Sequence, residues 1–178
     1  MKFASTTLPG VWLIDLELRE DERGFLARTY CEREFAEHGL NTRWPQCNLT
    51  LTKKRGTVRG LHFQAEPKPE IKLIRCAVGA IFDVLVDARR GSPTFGKWAS
   101  FELTSENRRI LYAPGGFAHG FQSLTDNCEV FYQMSEFYFP ELARGFRWND
   151  PEVGVRWPLA SPTVSERDQK LPRLAEIT

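Results

Sequence analysis

Histidine is scarce in this chain: only His38, His62 and His119 occur among 178 residues. A metal centre needs three or four clustered ligands, and no HxH, HExxH or Cys/His cluster is present. Neither GxGxxG nor GxxxxGK(S/T) occurs, which removes the common glycine-loop nucleotide sites. No metal and no other cofactor is therefore expected. Charge of one sign is not in excess: 24 basic residues face 23 acidic ones, a net charge of +1. That balance argues against a nucleic-acid or polyanion partner. No apolar run approaches ~18 residues, and the N-terminus has no basic-then-apolar segment, so a soluble cytoplasmic protein with no membrane partner is expected. The four cysteines (Cys31, Cys47, Cys76 and Cys128) form no CxxC pair. Three lie in or beside apolar, strand-like runs, which reads as free thiols in a reducing compartment.

What is present is β. The chain is long enough to bury a core without staples, and one domain is the natural count. It carries 11 prolines, 13 glycines and 12% aromatics, a composition suited to short strands and tight turns. Gln46 to Thr52 alternates polar and apolar residues, as does Cys128 to Ser135, and Phe82, Val84 and Val86 share one face of Ala80 to Asp87. Further strands are expected within 3–20, over Phe25–Tyr30, Arg59–Gln64, Ile71–Val78, Lys97–Leu103, Arg109–Tyr112 and in the run after Gly116. One short helix is expected over Glu32–His38, anchored by Phe35 and stopped at Gly39. Regular spacing with Gly/Pro turns indicates an all-β sandwich or barrel, and a jelly roll fits the strand count.

The chemistry centres on Thr57–Gln64. Strict alternation puts Arg59, Leu61 and Phe63 on one side and Gly60, His62 and Gln64 on the other. A satisfied core histidine and a base needing a partner are both compatible with His62. Lys72 in its strand reads as an edge cation or as an ammonium turned toward developing negative charge. Tyr132, between Val130 and Met134, reads as core, and Asp168, after Ser165-Glu166-Arg167, as a surface carboxylate at a helix start. Arg23 and Arg59 stand beside glycines and suit bidentate phosphate contacts. His38 suits a solvated helix C-terminus.

Taken in order, these elements are more specific than any one alone. Asp21-x-Arg23-Gly24, Arg59-Gly60-Leu61-His62-Phe63-Gln64, Lys72, Phe82-Asp83-Val84-x-Val86-Asp87-x-Arg89, Gly91-Ser92-Pro93-Thr94-Phe95-Gly96-Lys97-Trp98, Pro114-x-Gly116-Phe117-Ala118-His119-Gly120-Phe121, Tyr132, Trp148-Asn149-Asp150-Pro151 and Ser165-x-x-Asp168 occur in sequence. The chain resembles the dTDP-4-dehydrorhamnose 3,5-epimerase family over nearly its whole length. The resemblance implies one cupin-type jelly-roll domain over 1–178, a homodimer with exchanged N-terminal strands, and a tail from about 139 packed on the barrel. It implies a nucleoside-diphosphate 4-keto-6-deoxy sugar as substrate, with protons at C3 and C5 removed and returned through an enolate. In that pattern His62 is the base, oriented by Asp168. Lys72 faces the C4 oxygen and Tyr132 is the acid on the other face. Arg23, Arg59 and His119 hold the diphosphate, Gln46 and Asn48 bind nearby, and Tyr138 stacks on the base.

The departures from the family pattern cluster around the nucleotide. Arg28 stands where the family usually carries Glu, Ala143 near a usual acidic residue and Arg167 for a lysine. Thr50 and Thr52 replace two serines, and the turn before Gly56 is one residue longer. A carboxylate suits thymine N3–H and a guanidinium suits the cytosine N3 acceptor. Two outcomes follow for Arg28: a preference for CDP, or a side chain turned to solvent or phosphate with thymine kept. A C3-only epimerase, a cupin 3,4-ketoisomerase and a non-catalytic sugar-nucleotide-binding module are the competing functions.

Overall fold

Alternating inward and outward side chains generate most of the elements in the computed structural model, which describes residues 1–177. In chain order these are β1 (Lys2–Ser5), β2 (Trp12–Asp15), β3 (Arg19–Asp21), β4 (Gly24–Leu26), α1 (Glu32–Glu37), β5 (Gln46–Thr52) and β6 (Thr57–Gln64). They are followed by β7 (Lys72–Val78), β8 (Ala80–Asp87), β9 (Trp98–Thr104), β10 (Ile110–Ala113), β11 (Phe117–Ser123) and β12 (Cys128–Met134). The tail adds β13 (Ala143–Gly145), β14 (Thr163–Val164) and α2 (Glu166–Gln169).

Two sheets face each other as a cupin-type jelly roll. The front sheet runs β1-β2-β10-β7-β12-β5, and the back sheet runs β13-β6-β11-β8-β9, with β14 lying parallel to β6. The interior at one end is apolar: Ile74, Leu111 and Val130 of the front sheet meet Ile81, Leu85, Leu103 and Phe121 of the back sheet. The outer face of the back sheet, where Phe82, Val84 and Val86 point, is covered by Phe146, Val153, Val155, Trp157 and Leu174 from the tail. The outer face of the front sheet is covered by α1 through fully buried Phe35, beside Ile14, Leu73 and Tyr112. The helix stops where expected, with His38 at its C-cap accepting no role in the interior; its ring stacks on Phe3.

Three expectations are corrected. The strand expected over Phe25–Tyr30 ends at Leu26, and β3–β4 forms an exposed hairpin paired with neither large sheet. Ala27–Tyr30 has no strand partner, because the chain turns there to deliver Tyr30 and Phe35 into the aromatic cluster under the front sheet. Asp168 is not a surface carboxylate but is 4% exposed. Finally, strict alternation fails in β6. His119 pairs with His62 but Phe121 pairs with Arg59, so Gly60 and Leu61 together oppose Gly120 alone. This bulge brings Arg59 round to the same side as His62 while Leu61 and Phe63 stay in the outer cluster. Both glycines are required. A Cβ on Gly60, where φ is +120°, would lie 2.6 Å from Gly120 Cα, and one on Gly120 would lie 2.7 Å from the Arg59 carbonyl oxygen.

All four cysteines are free thiols. Among the described residues no helix is long and apolar enough to cross a membrane.

Candidate active site

At the end of the sandwich away from the apolar core, the space between the sheets opens into two adjoining cavities of about 490 and 470 Å³. His62, Lys72, Tyr132 and Arg167 line both. The front sheet contributes Tyr132 from β12 and Lys72 from β7, and the back sheet contributes His62 from β6 and His119 from β11. One cavity continues past Arg59, Thr50 and His119, and the other past Gln46, Asn48, Glu70 and Tyr138.

His62 is held by Asp168, whose Oδ1 is 2.7 Å from Nε2. Asp168 is fixed in turn: Ser165 Oγ accepts from its backbone N–H at the start of α2, and Gly60 N–H donates to its Oδ2 at 3.2 Å. Burial alone would push the Asp168 carboxyl up. The hydrogen bond and charge of His62, the Gly60 N–H and Arg167 outweigh it and hold the carboxyl below the usual range. With Nε2–H donated to this carboxylate, the lone pair sits on Nδ1. The ring is 37% exposed, so a substrate can reach it.

His119 forms a second dyad. Its Nε2 lies 2.8 Å from Oδ2 of Asp83, which is fully buried. Burial pushes the Asp83 carboxyl up, against the opposing pull of His119 and Lys72. Lys72 is 8% exposed and its Nζ is 2.7 Å from Glu70 Oε1. Arg59 is anchored by Nε to Thr52 Oγ1 at 2.9 Å and by Nη2 to the Leu51 carbonyl at 3.0 Å, and it has no carboxylate partner among the described residues. Gln46 and Asn48 donate to the Met134 sulfur, and Gln46 Oε1 accepts from the Tyr138 N–H, so this wall is tied together. Tyr138 itself is half-exposed at the rim.

Ten of the twelve expected site residues thus line the trough. Arg23 and Arg28 do not. Arg23 sits at the tip of the β3–β4 hairpin in an ion pair with Asp21, 84% exposed. Arg28 pairs with Glu34 at 2.7 Å beside a separate cavity of about 600 Å³ lined by Met1, Glu17, Arg19 and Leu26. Three trough or near-trough groups were not anticipated: Glu70, Asp83 and Arg144. Glu70-x-Lys72 is a legible same-face pair in an extended segment, and Asp83 is the one charge inside the apolar run Ala80 to Val86. Arg144 carried no comparable signal.

A base with an orienting carboxylate, a phenol from the opposite sheet and an ammonium around one trough define a jelly-roll acid–base isomerase. The family model described as dTDP-4-dehydrorhamnose 3,5-epimerase matches residues 5–176. The chain belongs to the dTDP-4-dehydrorhamnose 3,5-epimerase family. It is 44% identical over 178 residues to the dTDP-4-dehydrorhamnose 3,5-epimerase of Methanothermobacter thermautotrophicus, covering 98% of this chain and 95% of that one. The crystal structure of the Bacillus anthracis dTDP-4-dehydrorhamnose 3,5-epimerase with TDP and PPi bound superposes with a TM-score of 0.94 at 39% identity, covering 97% of this chain and 98% of that one. A 4-keto-6-deoxy sugar epimerase from the novobiocin biosynthetic gene cluster of Streptomyces spheroides gives 0.95 at 40% identity, covering 99% and 88%.

Proposed function

We propose that the chain epimerises a dTDP-linked 4-keto-6-deoxy sugar at C3 and C5 through an enolate. The observation that carries this is the His62–Asp168 dyad at 2.7 Å, set in the same trough as Tyr132 and Lys72. Both carbons are α to the C4 ketone, so one base and one oxyanion site serve both. His62 Nδ1 takes the proton, and the imidazolium that forms is stabilised by Asp168. Lys72 Nζ stabilises the charge that develops on the C4 oxygen. Tyr132, projecting from the opposite sheet, returns a proton to the other face. Its hydroxyl has no protein hydrogen-bond partner among the described residues, which leaves it free for this step.

The nucleotide lies along the remaining wall. Arg59, Arg167 and His119 hold the diphosphate, with the His119 ring kept in place through Nε2 by Asp83. Gln46 and Asn48 bind beside Tyr138, which stacks on the base. The dTDP in the relatives' names supports thymine, and the pairing of Arg28 with Glu34 supports a guanidinium already partnered rather than one reserved for cytosine. The protein acts as a cytoplasmic homodimer. In it the exposed β3–β4 hairpin, with Phe25 and Leu26 open to solvent in one chain, reaches the partner and brings Arg23 to the partner's diphosphate and Arg28 to its base.

Incubation with dTDP-4-keto-6-deoxyglucose in deuterated water, read by NMR, tests this reading. Deuterium at C3 and C5 is expected. Deuterium at C3 alone would make it a mono-epimerase, and tight dTDP binding without exchange would make it a binding module.

A further inference from the structure

Glu70 and Lys72 are separated by one residue in an extended segment, so their side chains share a face, while Ile71 turns away into the cluster under the front sheet. Glu70 Oε1 accepts from Lys72 Nζ at 2.7 Å, and the two side chains are only 8% and 11% exposed. The other carboxylate oxygen, Oε2, is buried and has no hydrogen-bond partner among the described residues. Glu70 nevertheless lines the cavity shared with Gln46, Asn48, Tyr132 and Tyr138. A buried carboxylate oxygen left without a donor is costly, and one that borders a ligand cavity is paired once the ligand arrives.

A neutral keto sugar offers its hydroxyls as donors. This step rests on the reading that Lys72 faces the C4 oxygen. Oε1 and Oε2 belong to one carboxylate, and the C3 hydroxyl is vicinal to the ketone. With the ketone seated on Lys72, one of its two neighbouring carbons faces this carboxylate, and of the two only C3 carries a hydroxyl that can donate to Oε2. We propose that Glu70 is a substrate-binding residue whose Oε2 accepts a hydrogen bond from the C3 hydroxyl of the sugar, while Oε1 aims the Lys72 ammonium. The bond sets the torsion at C3, and with it the alignment of the C3–H bond with the carbonyl π system that proton removal requires. C5 carries no hydroxyl and gains nothing from it.

This distinguishes the contact from a mere counter-ion. If Glu70 acts only through Lys72, both exchanges pass through the same C4 oxyanion and fall together. The experiment measures deuterium entry at C3 and C5 of dTDP-4-keto-6-deoxyglucose by NMR for wild type, Glu70→Gln and Glu70→Ala, with dTDP affinity by calorimetry as a check on folding. In Glu70→Ala, C3 exchange is expected to fall about tenfold or more, the loss of a charge-assisted hydrogen bond. C5 exchange falls several-fold less and dTDP affinity is retained. Glu70→Gln, which keeps the shape, shows the same C3 bias to a smaller degree. Equal losses at both carbons, or none, overturn the assignment. Failure of the underlying reading is seen separately, as no exchange in the wild type, and would remove this proposal with it.

Discussion

His62 and His119 stand directly opposite each other on paired strands, and each gives Nε2 to a carboxylate. The two dyads are not equivalent. The His62 ring is 37% exposed and its carboxylate lies below the usual range, whereas His119 is 12% exposed and its fully buried partner is pushed up. Burial makes one ring reachable by a substrate carbon and fixes the other as part of the wall. The trough therefore holds one candidate base, not two.

His62→Ala is accordingly expected to abolish solvent exchange at both C3 and C5 while dTDP still binds. Exchange surviving at either carbon above about 1% of the wild-type rate would assign that proton to another base.

Asp168→Asn keeps the size of the side chain but removes its charge and can offer an N–H in place of an acceptor to Nε2. Turnover is expected to drop by about 100-fold or more, through loss of the Nδ1 lone-pair tautomer and of the charge that stabilises the imidazolium. Measuring kcat and KM separately checks it: a change confined to KM would place Asp168 outside the proton transfer.

Tyr132→Phe should slow completion of epimerisation more than first proton removal, so deuterium washes in faster than configuration inverts. Equal loss of wash-in and inversion would count against the phenol as the opposing acid.

Asp87 offers a test of stability. It is fully buried; burial pushes its carboxyl up, but Arg89, Ser92 and Thr94 together overcome that and hold it at about 2. A carboxyl depressed in the folded state contributes stability that is complete above its unfolded value and is lost as pH falls through the folded one. The contribution is about 2 kcal/mol at neutral pH and fades between about pH 4 and pH 2. Urea midpoints of wild type and Asp87→Asn should converge as the pH falls through that window, and parallel curves would refute it.

Gly60→Ala places a methyl 2.6 Å from Gly120 Cα at a φ of +120°. A loss of roughly 2–4 kcal/mol in denaturant unfolding is expected, together with loss of activity, because the bulge that turns Arg59 and His62 to one side must shift. A variant as stable as the wild type would show that the two strands can separate there at no cost.

Much of this was legible in the residues. The alternation of Gln46–Thr52 and Cys128–Met134 placed those strands, and Phe35 and Gly39 bounded the helix. The ordered motifs pointed to the trough residues His62, Lys72, Tyr132 and Asp168, although Asp168 alone read as a surface group, since nothing local shows that Gly60 and His62 lie over it. The Arg59 side was misread because a two-residue bulge breaks period-two alternation, and its cause, Gly120 pressing on Gly60, lies 60 residues away. The inward turn of Asp83 is likewise set by its register opposite Phe121, and Glu70 gains its meaning only from the cavity beside it. Arg23 lies on, and Arg28 just beyond, a hairpin whose backbone has no second sheet to join in one chain.

The orienting carboxylate of the base comes from the tail, 106 residues after the ring it holds. On a ribosome, the strands of both sheets emerge before Asp168 does. His62 has no orienting carboxylate until the segment carrying β14 and Ser165, which places Asp168, has been made. A chain clipped ahead of that segment would keep the ring but lose the carboxylate that selects its reactive tautomer, along with Leu174, which packs on the back sheet.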